Sequence, residues 1–139
     1  MEVHMGRFPM DRAEAEKLRA KTGASRMIYS IRSFVEKQAL WAWGDEEGTL
    51  FMQDAQGTNV LPVWPDPLLA EIECAGPSGE APVEVSLERF LEVWLPQLEV
   101  DSEGIAIFPV DDRIAVSMTT AEFRAKVFAA GRRADEVGP

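Results

Sequence analysis

Three prolines fall close together at Pro62, Pro65 and Pro67, directly behind the apolar run Val60, Leu61 and Val63. A proline carries no amide hydrogen, so each one deletes a donor from any hydrogen-bonded ladder. The extended segment from Asn59 to Trp64 must therefore end a strand here or lie at a sheet edge. Asp66 ahead of Pro67 predicts a short helix reaching about Cys74, because aspartate caps a helix N-terminus and proline fits its first position. An abrupt change from strand to helix is thus written into the middle of the chain, and the remaining elements have to be arranged around it.

Upstream, Asp11 with Glu14 three residues later predicts a capped helix to about Lys21, with Gly23 as its left-handed exit. Its apolar face is thin, which places it at the periphery. A second helix after Ser25 carries Ile28, Ile31 and Val35 at core-facing spacing and ends near Gln38. Leu40 to Trp43 and Thr49 to Gln53 read as a hairpin across Gly44–Gly48, and Asn59–Trp64 completes a three-stranded antiparallel meander. Downstream, residues 76–82 read as a loop. Ser86 opens a helix with Leu87, Phe90, Leu91, Trp94, Leu95 and Leu98 on one stripe, which Pro96 must kink or end. Gly104–Val110 and Arg113–Met118 form a second hairpin. Thr119 and Glu122 make a capping box for a last helix to about Ala130, closed by Gly131.

Strands grouped together and helices grouped together imply an α+β fold: an antiparallel sheet of about five strands with helices packed on it. The expected organisation is a mobile tail over 1–10, one domain over 11–131 and a frayed tail over 132–139. A 139-residue chain with 46% hydrophobic and 27% charged residues is of ordinary globular composition. A single cysteine, Cys74, rules out a disulfide within the chain and points to a reducing compartment, so the cytoplasm is the expected location. No apolar run has the length of a signal peptide or a membrane span, so no membrane partner is expected.

The net charge of −10 disfavours nucleic acid. The charge is also unevenly distributed. Residues 1–39 hold 8 basic and 5 acidic side chains, residues 40–118 hold 2 and 16, and residues 119–139 hold 4 and 3. The acidic middle either serves solubility and attraction to the terminal helices or forms a face for a basic protein partner.

Phe34-x6-Trp41-Ala42-Trp43, Asp45…Gly48 and Leu61-Pro62-Val63-Trp64-Pro65 together resemble an uncharacterised bacterial family, domain of unknown function 2750. The resemblance continues through Ser86-Leu87-x2-Phe90-Leu91, Trp94-Leu95-Pro96-x-Leu98 and Gly104-Ile105-x-Ile107-Phe108-Pro109, and spans about Ser25 to Ala130. In layout alone the chain is also similar to SseB-like proteins and to some toxin-immunity proteins. The helix before Ser25 departs from the family pattern, as does Asp66-Pro67-Leu68-Leu69, where the family often carries a histidine and a tyrosine. The resemblance implies a fold and no catalytic residues.

The residues themselves nominate no catalyst. His4, the single histidine, lies in the ragged start, and Cys74 has no histidine partner within the folded region, which removes most zinc, Cys-His and Ser-His-Asp chemistry. Paired carboxylates at Asp45-Glu46-Glu47, Glu71 with Glu73, Asp101 with Glu103 and Asp111-Asp112 lack the spacing of a cation loop. No catalytic residue, cofactor or metal site is expected. The four tryptophans either fill the core or line a site. Trp94 sits mid-stripe and belongs to the core, whereas Trp64, held between prolines, is the best placed for the rim of a surface site. The expected binding residues are Trp41, Trp43, Trp64, Asp66, Asp45 and Glu46. The reading is a non-catalytic interaction module, of accessory or immunity type, that offers an acidic face to a basic protein surface. The alternative is a small-molecule-binding or enzymatic domain with a tryptophan-lined pocket. Open strand edges near Leu61 and Ile114 would allow a homodimer.

Overall fold

The computed structural model describes residues 9–76 and 79–137, with side chains described as far as Arg133. The elements run α1 (Arg12–Arg19), α2 (Gly23–Lys37), β1 (Ala39–Asp45), β2 (Gly48–Thr49), β3 (Met52–Gln53), β4 (Asn59–Val63), α3 (Pro67–Cys74) and β5 (Ala81–Ser86). There follow α4 (Leu87–Arg89), a π-turn (Phe90–Trp94), α5 (Leu95–Val100), β6 (Gly104–Ile107), β7 (Ser117–Met118) and α6 (Thr120–Val137). The class is α+β.

Capping chemistry sets the helix starts. Asp11 accepts from the Glu14 amide at 2.8 Å, Asp66 from Leu68 at 2.8 Å and Ser86 from Arg89 at 3.1 Å. Thr119 and Glu122 exchange bonds of 3.1 and 2.8 Å, a complete capping box. Each such cap contributes about 1 kcal/mol. Gly23 does not close α1. Thr22 caps α2 by accepting from Ser25, which makes Gly23 the first residue of that helix, and a Cβ at this position would collide with the Cβ of Ala115. Gly131 does not end α6 either, and the helix continues to Val137, through residues expected to fray.

The sheet is mixed, not wholly antiparallel. β1 pairs antiparallel with β2 and with β5, and β4 pairs antiparallel with β3. β4 then runs parallel to β6, with Leu61 opposite Ile105 and Val63 opposite Ile107, and β6 is antiparallel to β7. The two halves join where Trp41 and Trp64 exchange backbone bonds of 3.0 and 2.8 Å. Trp43 shares strand parity with Trp41 and accepts from Leu50, so β2 and β3 enter as a wedge between diverging β1 and β4. Val63 turns its carbonyl toward Phe108 of the β6 side. By the same parity the missing donor of Pro62 faces the fork of that wedge, where no ladder bond is required. The prolines therefore end β4 at Val63 without placing it at an edge. Leu61 is fully buried in an interior strand, and the sheet's outer strands are β5 and β7. β5 occupies part of what reads as a loop, and Asp111-Asp112 form the tight turn of the second hairpin with φ of 54° and 61°.

Pro96 neither breaks nor ends its helix. The Leu95 amide reaches back five residues to the Phe90 carbonyl, and this π-turn absorbs the ring just ahead of it. One extra residue in the turn rotates the downstream helix by about 100° relative to an uninterrupted one. Leu95 and Leu98 thereby reach the core while Leu91 and Trp94 are left half-buried.

α2 packs against α6, β1 and β6, and α3 against β1 and β5. The inner face of α2 differs from the apolar stripe. Arg26, Ser30, Ile31, Ser33 and Phe34 are buried, whereas Ile28 is 53% exposed. α1 is less peripheral than its composition implies, since Ala15 and Leu18 belong to the core cluster.

Candidate functional site

The six expected binding residues do not converge. Trp64 is 1% exposed and donates its indole N–H to the Pro109 carbonyl at 3.2 Å. The flanking prolines thus aim its ring inward, and it forms no rim. Trp43 is likewise buried and donates to Glu80 at 3.2 Å. Trp41 is half-buried, with the Lys37 ammonium 5.6 Å from its ring centre. Asp66 caps α3 and lies 3.5 Å from the same ammonium, which also donates to the Pro65 carbonyl at 3.1 Å. Trp41 and Asp66 therefore meet only around Lys37. At the far end of β1, Asp45 fixes the hairpin turn by accepting from Glu47 at 2.8 Å, and Glu46 is exposed. None of these three tryptophans lines any of the four main surface grooves among the described residues.

An acidic surface with an aromatic at its edge does form, at other residues. A groove of about 460 Å³ runs between the β2–β3 bend and the α4–α5 helix, with Phe51, Leu61, Val93, Trp94 and Leu98 forming its apolar lining and Asp101 and Glu103 its carboxylates. Glu103 also lines an adjoining groove of about 600 Å³, together with Asp54, Glu99 and Glu122. No lysine or arginine lines either groove. Phe51 is 37% exposed and Val93 47%.

Trp94 is set by the π-turn and held by a chain of rings. Its ring centroid lies 5.8 Å from that of Phe90, which packs edge-on to Phe123 at 5.2 Å, and Phe123 is 6.1 Å from Phe34. The chain leads from the core of α2 and α6 to the groove wall. The sequence did carry a signal for this site, because Val93 is an apolar residue off the stripe, among Glu88, Glu92 and Gln97.

A second polar cluster is structural. Glu73, whose side chain is 7% exposed, accepts from the Arg19 guanidinium and from the Asp111 amide at 2.9 Å. Arg19 also pairs with Glu16 and Asp111 at 2.8 and 2.9 Å, which ties α1, α3 and the second hairpin together. Glu16 is held below the usual carboxylate range by Arg12 and Arg19. Arg26 is buried without a carboxylate. It donates to the Phe108 carbonyl at 3.0 Å and the Lys21 carbonyl at 2.7 Å, with its guanidinium 5.6 Å from the Phe108 ring centre. Burial pulls its pKa below the usual arginine range. These contacts hold Phe108 at a φ of 51°, a conformation that a bulky residue adopts only under such restraint.

Burial pushes the Cys74 thiol up to about 11, with Glu73, Asp112 and Glu80 adding to the shift, so at neutral pH it is a thiol and no nucleophile. Among the described residues no three histidine, cysteine or carboxylate side chains gather as a metal site would require, and no helix is long and apolar enough to cross a membrane. His4 lies outside the described residues.

No curated protein and no solved structure matches the chain. The likeness of layout to SseB-like and immunity proteins thus gains no support. A family match extends over residues 27–127 and takes in both strands that carry the Trp-Ala-Trp and Leu-Pro-Val-Trp-Pro segments, the π-turn helix and the second hairpin. The chain belongs to the family described as Protein of unknown function (DUF2750).

Proposed function

We propose that this protein is a non-catalytic interaction module of the cytoplasm, of accessory or immunity type, whose acidic groove takes a basic segment of a protein partner anchored by an apolar side chain. The observation that supports this reading is the groove itself: Phe51, Val93 and Trp94 gather beside a lining whose only charged groups are carboxylates. Aromatic anchors in a rimmed groove are where binding energy concentrates, and uniform charge sign favours association with a complementary partner. The π-turn and the ring chain fix Trp94 before binding, which lowers the ordering cost.

The test is fluorescence anisotropy of a labelled basic peptide carrying two leucines and a tryptophan among lysines and arginines, titrated with the full chain. Trp94→Ala should weaken binding about 30-fold, equivalent to about 2 kcal/mol. The pair Asp101→Lys and Glu103→Lys should abolish it, and raised salt should weaken it. Unchanged affinity in the charge-reversed variant removes the reading.

A further inference from the structure

The face of α2 and α6 carries the opposite charge. A groove of about 920 Å³ between α2, α4 and α6 has Val35, Leu91 and Phe128 among its apolar lining and Arg124 and Arg132 as its charged lining. Across α6 a second groove of about 480 Å³ is lined by Arg32, Lys126 and Arg133 beside Ile28 and Ile31. No carboxylate lines either groove, although the chain has 24 acidic residues against 14 basic ones. Among the described residues none of these five cations is in an ion pair. Phe128 is 67% exposed, with the Arg132 guanidinium 5.8 Å from its ring centre. Exposed aromatic surface beside exposed, unpaired cations, on a chain that pairs Arg12, Arg19 and Lys37 with acids, is an unfilled complement.

We propose that the α2–α6 face is a docking site for an acidic amphipathic helix of a partner protein. The larger groove follows α6 from Ala121 to Arg132, about 18 Å at 1.5 Å per residue, which matches roughly three turns of an occupant helix. Its apolar lining takes the leucine face of such a helix, and Arg124 and Arg132 take its carboxylates. Nucleic acid presents charge without a matching apolar stripe, and both nucleic acid and an anionic bilayer are repelled at long range by the net −10. A second copy related by a two-fold axis through this face would set like cations against each other. The inference stands independently of the acidic groove.

The experiment uses the full chain and three labelled 15-residue peptides: one with leucine at i, i+3, i+4 and i+7 among glutamates and alanines, a scramble of it, and a lysine version of the same pattern. The acidic amphipathic peptide should bind and gain helical circular dichroism, and the other two should bind at least tenfold more weakly. Phe128→Ser, at an exposed position that leaves the core untouched, should weaken binding at least tenfold. Arg124→Glu with Arg132→Glu should weaken it further, while Asp101→Lys with Glu103→Lys leaves it intact. Equal binding of the scramble marks a diffuse electrostatic patch and overturns the proposal. A dimer of the free chain that the Phe128 and arginine substitutions dissociate assigns the face to a second copy and equally overturns it.

Discussion

Replacing Glu73 by glutamine removes one negative charge from the junction of α1, α3 and the second hairpin while keeping the side chain's size. In the wild type both carboxylate oxygens are engaged, one by the Arg19 guanidinium and one by the Asp111 amide. An amide at this place offers one acceptor and turns an NH2 toward the second donor, so one contact is lost. Breaking a buried ion pair costs about 3–5 kcal/mol when the remaining charge is stranded. Arg19 is 17% exposed and keeps Glu16 and Asp111, so the expected loss is smaller, about 2–3 kcal/mol. An unfolding entropy of about 2.1 cal/mol/K per residue, applied to a chain of this length, converts that loss to a Tm lower by about 7–10 °C. Thermal and urea unfolding followed by circular dichroism measure it, and a double-mutant cycle with Arg19→Gln should give a coupling of about 1.5–2.5 kcal/mol. A Tm shift below about 2 °C, or a coupling near zero, would mean that the cluster contributes no more than a solvent-exposed bridge, and the structural role assigned to Glu73 would be wrong.

Two further outcomes stem from burial and charge. With its pKa raised to about 11, the Cys74 thiol should react with a disulfide reagent at pH 8 about a hundredfold more slowly in the folded chain than in urea, where a free thiol titrates near about 8.5. Because folding raises this pKa, the associated stability is complete below the unfolded value and is lost as pH climbs toward the folded one; equal reaction rates in the two states would contradict the assignment. Of the four tryptophans only Trp41 and Trp94 should be quenched by added ions, and the sign of the quencher should separate them. Caesium should favour Trp94 beside Asp101 and Glu103, and iodide should favour Trp41 beside Lys37. A Trp64→Phe variant with a reduced quenchable fraction would show that its ring is not enclosed.

Local chemistry made much of the fold legible. Asp11, Asp66, Ser86 and Thr119 cap helices through bonds that span two or three residues, so their effect is contained in the sequence around them. Features that depend on distant chain were not legible. The parallel pairing of Leu61 with Ile105 links strands 44 positions apart, and nothing near either residue announces it. Arg26 reads as a surface residue until the carbonyl of Phe108, 82 positions away, supplies its partner. The wedge of β2 and β3 turns Pro62 from a sign of an edge into an interior residue. The expected binding residues were not brought together: Trp43 and Trp64 serve the core, and the π-turn leaves Trp94, which reads as a core residue, half-buried at a groove wall.

The parallel pair β4 and β6 also bears on how the molecule assembles. Between Val63 and Gly104 the chain lays down α3, β5 and the whole π-turn helix before the central ladder can close. Closing so long a loop is entropically slow, and the compensating contacts come only with about the last quarter of the chain. A nascent or truncated polypeptide ending before Gly104 would leave β4 with an open flank of unpaired backbone groups among apolar side chains. The expected consequence is that completion of the centre, not of either end, limits the folding rate, so that Leu61→Ala should slow refolding more than an equally destabilising change in α1.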